Sequence, residues 1–164
     1  MVSRFWGIKD NSLGSIEAKD VSRLKVNGKI RYAFRRPRFP IICAVGAELI
    51  STESAAGFQR QIERFEFDVG QVLDIVDATG EGWAFHADLT IVSPLTLKKR
   101  WTKAAVIRLF NESENARRIG GVYPETALSN KTLIRIIAEV AALAAHGSPH
   151  RRVRTSTLKI RSGD

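Results

Sequence analysis

"FEFDVGQVLDIVDATGEGWAFHADLTIVSP", residues 65–94, is the stretch whose reading decides the fold. Leu73, Ile75 and Val76 belong to one apolar run, Thr79 to Gly82 have the residue types of a turn, and Trp83 to Ile91 form a return run. Two such runs on either side of a glycine-containing turn predict an antiparallel hairpin. Upstream, "VSRLKVNGKIRYAF" (21–34) predicts another hairpin, because Asn27-Gly28 accepts the positive φ of a type I′ turn. "FPIICAVGAELIS" (39–51) reads as a buried strand, or one bent at Gly46. In "STESAAGFQRQIERF" (51–65), Phe58, Ile62 and Phe65 have helical spacing, although Gly57 weakens a helix there.

The pattern F-x-F-x-x-G-x-x-L-x-I-V followed by G-x-G-W, from Phe65 to Trp83, resembles the middle of an SH3-like small barrel. The resemblance implies a small barrel but not polyproline binding, since Ala84 follows Trp83 where a second aromatic is usual and no tyrosine-rich opening segment is present. Trp83 and Phe85 alternate on one strand face and are expected in the core.

Pro94 marks the change from β to α pattern. Thr102 is placed as an N-cap for "KAAVIRLFNE", with Val106, Leu109 and Phe110 on one face. A further turn follows Ser113 through "ENARRI" and stops at Gly120-Gly121. The strongest helical signal is "ALSNKTLIRIIAEVAALAAHG" (127–147), with Ser129 as N-cap and Gly147 as C′ residue. Leu133, Ile136, Ile137, Val140, Leu143 and Ala144 form its apolar stripe, and Lys131, Arg135, Glu139 and His146 lie opposite. The predicted class is therefore α+β: an N-terminal antiparallel β-rich small barrel or curled sheet, then a C-terminal helical part. Its predicted divisions are an arm over 1–20, a β-rich domain over 21–95, a helical region over 96–147 and a basic flexible tail over 148–164.

Net charge is +9 across 164 residues, which favours polyanionic partners. The charge is segmented: ten Lys/Arg stand against three Asp/Glu in residues 1–40, and two against nine in 41–93. Basic flanks and an acidic middle either neutralise one another on the folded surface or separate into a phosphate-binding footprint. The footprint would comprise Arg35, Arg36 and Arg38 from "RYAFRRPRF", Lys98, Lys99 and Arg100 from "KKRW", and Arg151, Arg152 and Arg154 from the tail. "LSNKTLIRIIAEV" (128–140) resembles the recognition helices of bacterial repressors, which would present Asn130, Lys131 and Arg135 to a major groove. The competing reading is a plain core helix.

Other chemistries lack their signatures. Neither G-x-x-x-x-G-K-[ST] nor G-x-G-x-x-G occurs, and the three histidines and the single Cys43 do not have zinc-ligand spacing. His86 and Asp88 could share a strand face as a proton-shuttling pair, and Asp74, Asp77 and Glu81 could gather at a turn, which leaves a nuclease as the last-ranked reading. No run resembles a signal peptide or a membrane span, and one cysteine suits a reducing compartment, so a cytoplasmic location is expected. The expectation is a non-enzymatic nucleic-acid-binding protein, DNA ahead of RNA, regulatory in role and without cofactor or metal. An adaptor docking to an acidic protein is the alternative, a homodimer is left open, and no membrane is involved.

Overall fold

The computed structural model describes residues 23–97 and 100–147. In chain order the elements are β1 (Arg23–Lys25), β2 (Arg31–Tyr32), β3 (Ile41–Val45), β4 (Glu48–Thr52), α1 (Ala55–Ile62), β5 (Glu66–Asp68), β6 (Val72–Val76) and β7 (Gly82–His86). They continue with β8 (Ile91–Pro94), α2 (Lys103–Asn111), α3 (Glu114–Ile119), α4 (Ala127–Asn130) and α5 (Leu133–His146). The class is α+β, with strands in the N-terminal part and most helices after them.

Alternation along the strands dictates the layering, because successive side chains point to opposite faces. Ile41 and Cys43 of β3, Leu73 and Ile75 of β6, and Trp83 and Phe85 of β7 enter one buried cluster with Phe58 and Ile62 of α1 and Phe67 of β5. Ile42, Leu49 and Val76 face the other way, into a second cluster with Val106, Phe110, Ile136, Ile137 and Val140 of the helices. The sheet is thus the middle of three layers: its first face is buried, and the helices cover the second over β3, β4 and the Val76 end of β6, leaving Val72 and Asp74 exposed. Phe85 anchors the first core, meeting Phe58 at 5.7 Å and Phe67 at 6.2 Å, both edge-on. Asn115, fully buried, pins the second: it accepts from Leu49 N–H at 2.8 Å and donates to the carbonyls of Leu49 and Ala144.

No closed barrel forms. The main sheet is open, with strand order β2-β8-β7-β6-β3-β4, and β1 pairs with β5 in a separate ribbon. The 65–94 hairpin is present as β6 and β7, in antiparallel register from Val72↔His86 to Val76↔Gly82. Its return run is shorter than the sequence suggests, because a turn after His86 reverses the chain into β8, which pairs back on β7. Gly46, at φ 59°, turns β3 into β4, so the stretch read as one strand is itself a hairpin.

The Asn27-Gly28 hairpin does not exist. β1 pairs with β5, whereas β2 pairs in parallel with β8. Neither Asn27 nor Gly28 has the positive φ that a type I′ turn requires. Gln59 of α1 pins this connection instead, accepting from Ile30 N–H at 2.7 Å and donating to Gly28 O at 3.0 Å. Val26 and Ile30 are both buried in the first core.

The cap at Thr102 forms as the sequence predicts, its side chain accepting from Ala105 N–H, and the turn expected after Ser113 is present as α3, which Ser113 caps by accepting from Ala116 N–H. The long C-terminal helix is interrupted. Lys131 is extended at ψ 150°, and Thr132, not Ser129, caps α5 by accepting from Arg135 N–H. Ser129 instead bonds back to Thr126 O within the single turn of α4. The apolar stripe of α5 is as expected, with Ile136, Ile137, Val140 and Ala144 buried and Leu133 and Leu143 packed at its margins.

The β6–β7 turn meets the start of α5. Gly80 sits at φ 85°, and a Cβ there would lie 2.5 Å from Leu133 Cδ2. Gly80→Ala is therefore expected to destabilise the fold by roughly 1–3 kcal/mol, from a disfavoured backbone conformation and overpacking together. Urea unfolding of the two proteins measures it; an unchanged midpoint would mean that the turn does not bear on α5.

Candidate nucleic-acid interface

Residues 33–39 leave β2, cross the end of the sheet and enter β3, and three anchors hold them. Arg31 and Ala33 donate their N–H groups to Thr90 O and Val92 O, fixing the entry. Pro37 is buried in the middle. Arg38 then docks on the β6–β7 turn: its N–H donates to Asp77 Oδ2 at 3.1 Å, and its carbonyl accepts from Ala78 N–H at 2.9 Å. The Phe39–Pro40 peptide that follows is cis.

Asp77, only 1 % exposed, organises this junction. Its Oδ1 accepts from Thr79 N–H, Thr79 Oγ1 and Glu81 N–H, and its Oδ2 accepts from Arg38 N–H and, at 3.3 Å, from Trp83 Nε1. A carboxylate removed from water is costly unless donors replace the solvent, and here the donors come from both the loop and the turn. Arg100 joins the same place through a backbone bridge to Glu81, and Trp101 N–H donates to Gly80 O at 2.8 Å.

The loop presents its side chains outward. Arg35 makes a bidentate pair with Glu81 and lies over the Trp83 ring, its Cζ 4.8 Å from the centroid. Arg36 lies over Tyr32 at 5.6 Å. Phe34, just before them, is 97 % exposed and sits at φ 67°, with Arg35 N–H donating to Ala33 O across it in a γ-turn. A bulky side chain in the left-handed region costs on the order of 1–3 kcal/mol.

Three clefts meet at Arg36. One of about 570 Å³ runs between the loop and α1, past Lys29, Gln59 and Glu63. One of about 470 Å³ lies beside Arg31, Tyr32 and Phe34. The third, about 420 Å³, is lined by Arg35, Arg38 and Arg100 with Asp77, Thr79 and Glu81. Tyr32 borders the first two, and its hydroxyl is buried without a hydrogen-bond partner among the described residues.

Arg31, Arg36, Arg38 and Arg100 are all exposed, and among the described residues none makes an ion pair with an acid. The cations of the last helix differ. Lys131 Nζ lies 2.5 Å from Glu139 Oε2, Arg135 Nε lies 3.0 Å from Glu139 Oε1, and the Tyr123 hydroxyl donates to the same carboxylate at 2.6 Å. Lys131, followed by Tyr123 and Arg135, lowers the pKa of Glu139 from its ordinary 4.5 to about 2. Nearby, Arg117 pairs with Glu114, and Arg118 with Glu48.

The sequence-derived set therefore divides. Arg35, Arg36, Arg38 and Arg100 converge, whereas Lys131 and Arg135 are held by the chain's own Glu139. Asn130 is exposed at the end of the single-turn α4, which is too short to serve as the scanning helix of a helix-turn-helix. Lys98, Lys99, Arg151, Arg152 and Arg154 lie outside the described residues. Sequence reasoning passed over Arg31 and Phe34, although an aromatic set among arginines in "RYAFRRPRF" was the available signal.

His86 ends β7 and meets Ser93 at 3.3 Å, while Asp88 falls in the turn beyond, so the two do not share a strand face. Among the described residues no three His, Cys, Asp or Glu side chains are arranged to hold a metal ion. Cys43 is fully buried, and burial pushes its thiol pKa well above the ordinary value, which disfavours the nucleophilic thiolate. No helix among the described residues is long and apolar enough to cross a membrane.

The depressed pKa of Glu139 has a defined consequence for stability. A carboxylate titrating lower in the folded state stabilises fully above its unfolded pKa, and that contribution is lost as pH falls through the folded value. The stability gap between the wild type and Glu139→Gln is thus expected to be constant above about pH 5 and to close toward pH 2. Thermal unfolding of both proteins across that range measures it, and a gap independent of pH would contradict the Glu139 pairing.

In comparisons with protein-family models, curated proteins and solved structures, none matches this chain.

Proposed function

We propose that this protein binds nucleic acid through the arginine loop, with Arg31, Arg36, Arg38 and Arg100 neutralising backbone phosphates and Arg35 completing the rim. The observation that carries this reading is convergence: Arg36, Arg38 and Arg100 line one cleft and Arg31 the next, all four exposed and without acid partners among the described residues, whereas Arg117, Arg118, Lys131 and Arg135 are each paired. An arginine already held by a carboxylate gains less from a phosphate, because the existing pair must first be broken. The reading moves the interface away from the last helix, whose apolar face is committed to the core.

Guanidinium groups suit the task. Each offers a planar set of donors to phosphate oxygens, and release of the counterions condensed on the strand drives association. The Asp77 network fixes the loop backbone in advance, so less ordering remains to be done on binding.

Fluorescence anisotropy against a labelled oligonucleotide over a salt series tests the proposal. Each phosphate contact contributes about 0.7 to the slope of log K against log salt on single strands and about 0.9 on duplex. The Arg36→Gln/Arg38→Gln protein is expected to lose about tenfold in affinity at low salt and to have a slope shallower by about 1.4–1.8. Arg117→Gln/Arg135→Gln changes net charge equally and is expected to leave both within error. Equal losses from the two variants would mean that net charge alone drives association and would refute the site. Equal competition by poly-L-glutamate at matched charge would favour the adaptor reading, an acidic protein partner, instead.

A further inference from the structure

We infer that Phe34 is a stacking platform for an unpaired base, which makes single-stranded nucleic acid the ligand class of the arginine loop. This rests on the phosphate-binding role proposed above and adds a preference which that role does not contain.

The inference begins with the placement of the ring. Phe34 is 97 % exposed, and the loop holds it there with a backbone conformation that a bulky residue disfavours. A strained position with no compensating burial marks a side chain kept for contact with something else. Arg35 N–H bonded to Ala33 O tightens the turn that projects the ring, and the following Arg35 and Arg36 are each turned back onto an inner aromatic, Trp83 and Tyr32. Phe34 is therefore an aromatic face without a partner among the described residues, and it shares a cleft with Arg31, Arg35 and Arg36. The cleft of about 470 Å³ beside it has the size of a small-molecule pocket and is lined by Lys29, Arg31 and Tyr32 as well as by Arg35 and Arg36.

Base faces in a duplex are already stacked on their neighbours, so an isolated protein ring finds no partner there. In a single strand the bases can splay, and one can stack on an aromatic side chain while cations beside it hold the adjoining phosphates. Insertion into an anionic bilayer would use the same charges. It is disfavoured by the setting of the ring, because Ala33 is half-buried, Pro37 is buried, and no second large apolar side chain of residues 31–39 is prominently exposed.

The test uses the full chain and its Phe34→Ala, Phe34→Trp and Phe34→Gly variants. Binding is measured by anisotropy to oligo-dT and to a mixed-sequence duplex, and by co-sedimentation with phosphatidylserine-containing vesicles. The wild type is expected to prefer oligo-dT; Phe34→Ala should lose about tenfold on oligo-dT with little change on duplex or in the salt slope, and Phe34→Trp should retain affinity. Phe34→Gly relieves the positive-φ strain, so it should raise Tm while losing the same affinity, separating binding from folding. Equal affinity for single strand and duplex with Phe34→Ala inert would overturn the stacking role and leave the phosphate site standing. A Phe34→Ala loss confined to vesicles would overturn it in favour of a lipid surface. Absence of binding to either nucleic acid by the wild type at low salt would remove the underlying proposal and this inference with it.

Discussion

The buried carboxylate of Asp77 is the constraint on which the rest of the structure depends. Five hydrogen bonds converge on it from the loop, the β6–β7 turn and the indole of Trp83. A charge-bearing group so fully withdrawn from water is tolerated only when its lone pairs are occupied, so the geometry of the turn and of the loop are fixed together. Through Gly80 the same turn touches Leu133 and Ile137, which joins the arginine loop to the packing of the last helix.

From that junction the charge distribution takes its form. The acidic middle of the chain neutralises part of the basic flanks: Glu81 pairs with Arg35, Glu48 with Arg118 and Glu66 with Lys25. Exposed pairs of this kind contribute little to stability, with a median of about 0–1 kcal/mol. Their larger effect is to decide which cations remain available to a ligand. Among the exposed cations that no acid holds, Arg36, Arg38 and Arg100 are gathered around one cleft, and Arg36 also lines the cleft beside an aromatic held in the open.

Local signals in the sequence carried far. The cap at Thr102, the helical turn after Ser113, the apolar stripe of α5, the β6–β7 hairpin and the burial of Trp83 and Phe85 were all legible, because each depends on neighbours within a turn or on strict alternation. Non-local events were not. Val26 and Ile30 are drawn into a common core by α1, and nothing within 21–34 shows that β1 and β2 join different sheets. The break at Lys131 was hidden because Ser129 and Thr132 are both competent caps, and tertiary packing selects the second. In the site, the arginines of the loop were legible as a cluster, whereas the neutralisation of Lys131 by Glu139 and the exposure of Phe34 depend on contacts and backbone angles that composition does not encode. An open sheet with helices on both faces stands in place of the barrel because Ile42, Leu49 and Val76 make part of the second face apolar as well, and the C-terminal helices cover it.

Arginine-selective chemical modification read by mass spectrometry, with and without bound oligo-dT, is the most direct measurement of where polyanions are held. Protection of Arg36, Arg38 and Arg100, with Arg117, Arg118 and Arg135 modified at unchanged rates, is the expected result. Protection of Arg135 while Arg36, Arg38 and Arg100 remain reactive would contradict the assignment and return the interface to the last helix.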